Sequence, residues 1–165
     1  MKKMEIICNL TEYESPGELS ADDRMLITEA RGAIQNAYAP YSHFHVGAAL
    51  LLENGVVVRG NNQENASYPV GLCAERVAIF AAGANYPGVG IKALAISARS
   101  DNFKVGEPVP PCGACRQAIS EYEHRYGKDI RILMTGEKGK VIASDSIRNL
   151  LPLQFNSNDL KINSQ

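Results

Sequence analysis

Residues 91–135 read IKALAISARSDNFKVGEPVPPCGACRQAISEYEHRYGKDIRILMT. The run 91–98 is apolar apart from Lys92 and Ser97, the pattern of a strand buried on both faces. A proline-rich loop follows, and Pro111 then stands at the entrance to a helical pattern over 113–126. A second apolar run over 130–135 supplies another strand. Strand, loop, helix and strand in this order make a β-loop-α-β unit, so the chain is of the α/β class.

The pattern extends in both directions. Downstream, a turn containing Gly136 and Gly139 leads to a strand over 141–144 and a short helix over 145–151. Upstream, 74–82 is alanine-rich with Val77, Ile79 and Phe80, a buried helix opened by Cys73 and closed by Gly83. Runs at 46–52 and 56–59, joined by Glu53-Asn54-Gly55, predict a hairpin with a tight turn. Ser20-Ala21-Asp22-Asp23 resembles a capping box, and Leu26, Ile27, Ala30, Ala33, Ile34 and Ala37 follow at helical spacing up to Pro40. The expected architecture is a three-layer α/β/α sandwich around a mixed, about five-stranded sheet. We read residues 20–155 as a single domain. Residues 1–19 form an extension whose Ile6, Cys8 and Leu10 alternate in the manner of an added edge strand, and 156–165 form a polar tail.

The 165 residues suffice for one core without disulfides. Basic and acidic residues, 17 and 18, nearly cancel and form no long block, so nucleic acid is not an expected partner. No run reaches transmembrane length, and Glu5 and Asn9 interrupt an apolar start already too short for a secretory signal. A reducing cytoplasm is therefore expected, where a C-x-x-C pair reads as metal-binding or redox-active before it reads as a structural bridge.

Two segments carry chemistry: Cys73-Ala74-Glu75-Arg76 and Pro111-Cys112-Gly113-Ala114-Cys115. Cys112 and Cys115 share a face in the first turn of their helix, and Cys73 opens another helix. Three thiolates can hold one zinc ion per chain while leaving the fourth position free for water, the open arrangement of catalytic sites. Helix N-termini and Arg76 would moderate the negative charge of the sulfurs. Glu75 would serve as general acid and base, provided Cys73 sits at an irregular cap; on a regular helix the two would face apart. Other readings stay open at this level. Cys112 and Cys115 alone would suit a redox pair, and Cys8 could complete a four-thiolate structural zinc. His43, His45 and His124 follow no metal-ligand pattern and read as surface or pocket residues.

With Arg116 and Gln117 added, these motifs resemble the cytidine deaminase family in its small form with an all-cysteine zinc site. The resemblance continues through Tyr38-Ala39-Pro40-Tyr41-Ser42, Phe44, Val46-Gly47-Ala48-Ala49-Leu50, Asn62, Glu64-Asn65-Ala66, Tyr68 and Leu150-Leu151-Pro152. It implies zinc-dependent hydrolysis of cytidine and deoxycytidine to uridine and deoxyuridine with release of ammonia, a step of pyrimidine salvage. It assigns Cys73, Cys112 and Cys115 to zinc and Glu75 to proton transfer. Phe44 would stack on the pyrimidine, Asn62 and Glu64 would bind ribose hydroxyls, and Ala74 would join the substrate contacts. It further implies a homotetramer in which Phe155 reaches a neighbouring subunit's site. A blasticidin-type antibiotic deaminase would use the same zinc chemistry.

Overall fold

The computed structural model describes residues 1–160. Its elements are β1 (Thr11–Tyr13), α1 (Ala21–Ala33), β2 (Phe44–Leu52), β3 (Val57–Asn61), α2 (Ala74–Asn85), β4 (Ile91–Ser100), α3 (Gly113–Tyr126), β5 (Arg131–Thr135) and β6 (Val141–Ser144). The strands form one sheet in the order β1-β6-β5-β4-β2-β3. Only β4 and β5 run parallel, joined by the crossover through α3; the other neighbours are antiparallel.

Side-chain alternation decides what each face carries. Ala48, Leu50 and Leu52 of β2, Leu94 and Ile96 of β4, and Ile132 and Met134 of β5 point to one face. There they pack against Ala74, Ala78, Ile79 and Ala82 of α2 and Ile119 of α3. Ala49, Ala93, Ala95 and Leu133 point the other way, against Leu26, Ile27 and Ala30 of α1. Both faces are covered, as the unbroken apolar runs of the central strands require. This is the three-layer α/β/α sandwich.

Three local details differ from the sequence-based expectations. The sheet has six strands rather than about five, because Thr11–Tyr13 pairs antiparallel with β6 in the register Thr11↔Ala143 to Tyr13↔Val141. This strand lies downstream of Ile6 and Leu10, which stay exposed; Glu12 on Lys140 at 2.7 Å and the Tyr13 hydroxyl near Arg131 help hold it. Helix α2 runs through Gly83 to Asn85 and stops before Pro87, so Gly83 is an interior residue. Its missing side chain makes room for the Tyr122 hydroxyl, which would lie 2.2 Å from an added Cβ. The 145–151 segment contains only a short 3-10 turn, Ile147–Asn149. In the β2–β3 hairpin, the Gly55 N–H bonds to Leu52 O and the Leu52 N–H to Val56 O, each at 2.9 Å.

One contact fixes the position of α2 relative to the sheet. A Cβ added at Gly60 of β3 would lie 2.5 Å from both the Ala74 carbonyl and the Ala78 amide, and 2.9 Å from the Ala78 Cβ. The first turn of α2 thus rests directly on strand backbone. Gly60→Ala should destabilise the protein by about 1–3 kcal/mol through overpacking, read as a lower urea midpoint, and should reduce zinc content by shifting Cys73. An unchanged midpoint and full zinc would contradict this contact.

Candidate active site

Helices α2 and α3 both begin at the end of the sheet where β2 starts and β3 and β4 finish. Each begins with a cysteine as its N-cap. Cys73 (φ −71, ψ 152) and Cys112 (φ −66, ψ 167) are extended, and neither thiol caps its own helix. Both sulfurs are therefore available to each other, 3.7 Å apart, while Cys115 in the first turn of α3 lies 3.4 Å from Cys112. The extended cap at Cys73 meets the geometric condition that its proximity to Glu75 demands.

Among the described residues, Cys73, Cys112 and Cys115 are the only group of three or more ligand-capable side chains whose ligand atoms all lie within 4.8 Å of one another. Cys8 is exposed and outside this group, so a four-thiolate site lacks its fourth sulfur. The electrostatics of the three thiols diverge. Cys73 is lowered to about 5, first by the hydrogen bond from Cys115 and then, against burial, by Arg76 and Cys112. Cys115 is pushed up, first as the donor to Cys73, then by burial and by the charges of Glu75 and Cys73. One thiolate forms readily and further ionisation is opposed. A divalent cation among the sulfurs would relieve that opposition, and three closely spaced sulfurs suit zinc. The donor set thus fits one zinc ion per chain.

The Arg76 guanidinium lies 3.9 Å from the Cys73 sulfur and 3.5 Å from the Gly71 carbonyl. Partial burial would lower its pKa, but the sulfurs hold it above its ordinary value. Glu75, only 4% exposed, is raised above the usual carboxylate range, chiefly by burial, with the Cys73 charge adding to the shift. A carboxyl raised in this way holds a proton more readily than an exposed one, which suits a group that must both accept and deliver protons.

A cleft of about 610 Å³ opens above these groups. Cys73, Cys112 and Glu75 line it, together with Phe44, Asn62 and Glu64. Ile96, Val109 and Pro110 add apolar wall, and Tyr41 and Tyr68, with ring centroids 5.9 Å apart, also line it. Cys115 and Ala74 are fully buried and not part of the lining. Phe155 does not line the cleft of its own chain; it is 58% exposed, and its carbonyl accepts a hydrogen bond from Gln117 Nε2 at 2.7 Å. His43 and His45 lie near Asp101, at 3.9 and 2.9 Å, on the flank of Phe44.

Two residues that the sequence motifs contain, but to which sequence reasoning gave no role, have defined contacts. Arg116 donates from Nε to the Pro111 carbonyl and from Nη1 to the Leu150 carbonyl, both at 2.8 Å. Prolines at 108, 110 and 111 have no N–H with which to anchor the approach to Cys112, and Arg116 supplies a tie there. Ser42 sits between Glu64 and Phe44, bonded to both. The partners include backbone groups distant in sequence, so no motif spacing could have revealed them.

The sequence matches the family described as "Cytidine and deoxycytidylate deaminase zinc-binding region" over residues 20–126. It is 42% identical over 139 residues to a cytidine deaminase of Halalkalibacterium halodurans, covering 84% of this chain and 98% of that one. A blasticidin-S deaminase of Bacillus cereus is 30% identical over 142 residues, covering 85% and 96% of the two chains. The crystal structure of cytidine deaminase from Burkholderia pseudomallei superposes with a TM-score of 0.70 at 40% identity, covering 83% of this chain and all of that one. Sequence, fold and clustered cysteines agree, and the chain belongs to the cytidine deaminase family.

Proposed function

We propose that the protein hydrolyses cytidine and deoxycytidine to uridine and deoxyuridine, releasing ammonia, as a cytoplasmic enzyme of pyrimidine salvage. The observation that carries this reading is the buried Glu75 beside three clustered thiols, two of them lining a cleft whose walls hold Phe44, Asn62 and Glu64. Residues 20–155 act as one deaminase domain.

Cys73, Cys112 and Cys115 hold the zinc, which when bound acts as a Lewis acid that makes water nucleophilic near neutral pH. Arg76 and the N-termini of α2 and α3 offset the negative charge of the sulfurs. Glu75 takes the proton lost by the attacking water and delivers protons to the ring and to the departing amine, so one carboxyl serves successive steps. Its burial supports this role by keeping the protonated form accessible. Phe44 offers an aromatic face to the pyrimidine, and Asn62 and Glu64 bind the sugar hydroxyls. Ala74, in the first turn of α2, joins the substrate contacts.

The assembly is a homotetramer in which Phe155 completes a neighbouring subunit's cleft. Exposed Phe155, Leu153 and, on the alanine-rich α2, Phe80 are apolar surface that such an assembly would cover. Sedimentation should give four times the 17.9 kDa chain mass. Phe155→Ala should raise KM while leaving zinc content intact. A fully active monomer would contradict this arrangement.

Zinc-replete protein should convert cytidine to uridine, followed by ultraviolet absorbance, with equimolar ammonia in the same sample. Glu75→Gln should keep its zinc and lose about a thousandfold in kcat. Substantial residual turnover would remove Glu75 from its role. Zinc-loaded protein inactive on both nucleosides but active on blasticidin S would transfer the site to the antibiotic substrate of its Bacillus cereus relative.

A further inference from the structure

We propose that Ser42 determines the sugar selectivity of the cleft, as a positioning residue that acts through Glu64. The proposal rests on the nucleoside reading above and assigns a role to a cleft-lining residue that is not among the zinc and substrate contacts given there.

The segment before β2 folds back on itself. The His43 N–H bonds to the Ala39 carbonyl and the Asp101 N–H to the His43 carbonyl, each at 3.0 Å, with His43 in the left-handed region at φ 55. This fold aims two successive amides, Tyr41 N–H at 2.9 Å and Ser42 N–H at 3.2 Å, at the same oxygen, Oε2 of Glu64. The Ser42 hydroxyl donates to the other oxygen, Oε1. Ser42 therefore holds both ends of the carboxylate.

Hydrogen-bond accounting gives that arrangement a consequence. A carboxylate has about four acceptor positions, and Tyr41 and Ser42 fill three of those on Glu64. What remains is a narrow acceptor site that suits one hydroxyl donor. Desolvation would raise Glu64, but these three donors, led by the Ser42 hydroxyl, hold it below the ordinary carboxylate range. It is then acceptor-only and cannot itself donate to a ligand oxygen.

Ser42 also links this site to the wall that meets the base. A serine hydroxyl has a single proton. The Ser42 oxygen accepts the Phe44 N–H at 3.0 Å, which leaves that proton directed at Glu64. The Phe44 carbonyl in turn accepts from Asn62 Nδ2 at 2.9 Å, and Asn62 Oδ1 accepts the Val46 N–H at 2.8 Å. Glu64, Ser42, Phe44, Asn62 and Val46 thus form one hydrogen-bonded frame. The acceptor left on Glu64 and the free N–H on Asn62 are fixed relative to the Phe44 backbone, so the sugar is read at a set distance from the base. Without the Ser42 hydroxyl, water replaces it at Oε1, the carboxylate gains rotational freedom, and the Phe44 N–H loses its partner.

The test compares kcat/KM for cytidine with that for 2′,3′-dideoxycytidine, which offers no hydroxyl for Glu64 to accept, in the wild-type protein and in Ser42→Ala and Ser42→Thr. Zinc content and thermal midpoint are recorded for each. Ser42→Ala should lose about tenfold on cytidine and about twofold or less on the dideoxy compound, narrowing the discrimination between them. Ser42→Thr, which keeps the hydroxyl, should restore that discrimination. Equal losses on both substrates would make Ser42 merely structural and overturn the proposal, as would no loss on either. A wild-type protein inactive on cytidine would remove the nucleoside reading itself, and this would be seen before any variant is assayed.

Discussion

Three cysteine sulfurs lie within 4.8 Å of one another, and like charges cannot share so small a volume without compensation. That constraint organises much of the molecule. Cys73 and Cys112 occupy N-caps, where the unsatisfied amides of two helices favour negative charge. Arg76 stands 3.9 Å from the Cys73 sulfur. A zinc ion held by these sulfurs would supply the remaining positive charge.

Bringing two helix N-termini together is a task for the sheet. Helix α2 can rest on β3 because Gly60 has no side chain, and α3 is placed by the crossover between the parallel strands β4 and β5. The loop into α3 is rich in proline and has few amides to anchor it, so the side chain of Arg116 ties the Pro111 carbonyl to the Leu150 carbonyl. On the opposite wall, Glu64, Asn62 and Phe44 are held by a hydrogen-bonded frame between the start of β2 and the end of β3. A floor and a wall each tied by hydrogen bonds would favour one pose for a ligand and so lower the entropic cost of alignment.

Much of this was legible in the sequence, for identifiable reasons. Helix α3 and strand β6 have the bounds that proline, glycine and apolar runs suggested, because their ends coincide with strong local signals. The cysteine cluster was legible because C-x-x-C at a helix start allows few geometries. Gly83 misled because a glycine that ends a helix looks the same, in one sequence, as a glycine that admits a neighbouring tyrosine. The edge strand of the extension lies at Thr11–Tyr13, just past the alternation over Ile6 to Leu10, because alternation alone says nothing about which residues reach the β6 edge. Ser42 and Arg116 act on backbone groups or on side chains far along the chain, and such partners leave no periodic trace.

The central claim is that the metal site is open, with three protein sulfurs and a place for water. Zinc-edge X-ray absorption on the zinc-replete protein tests it most directly. The account predicts three sulfur scatterers at about 2.3 Å and one oxygen or nitrogen at about 2.0 Å. Four sulfurs around the zinc would mean a closed structural site and would contradict the account.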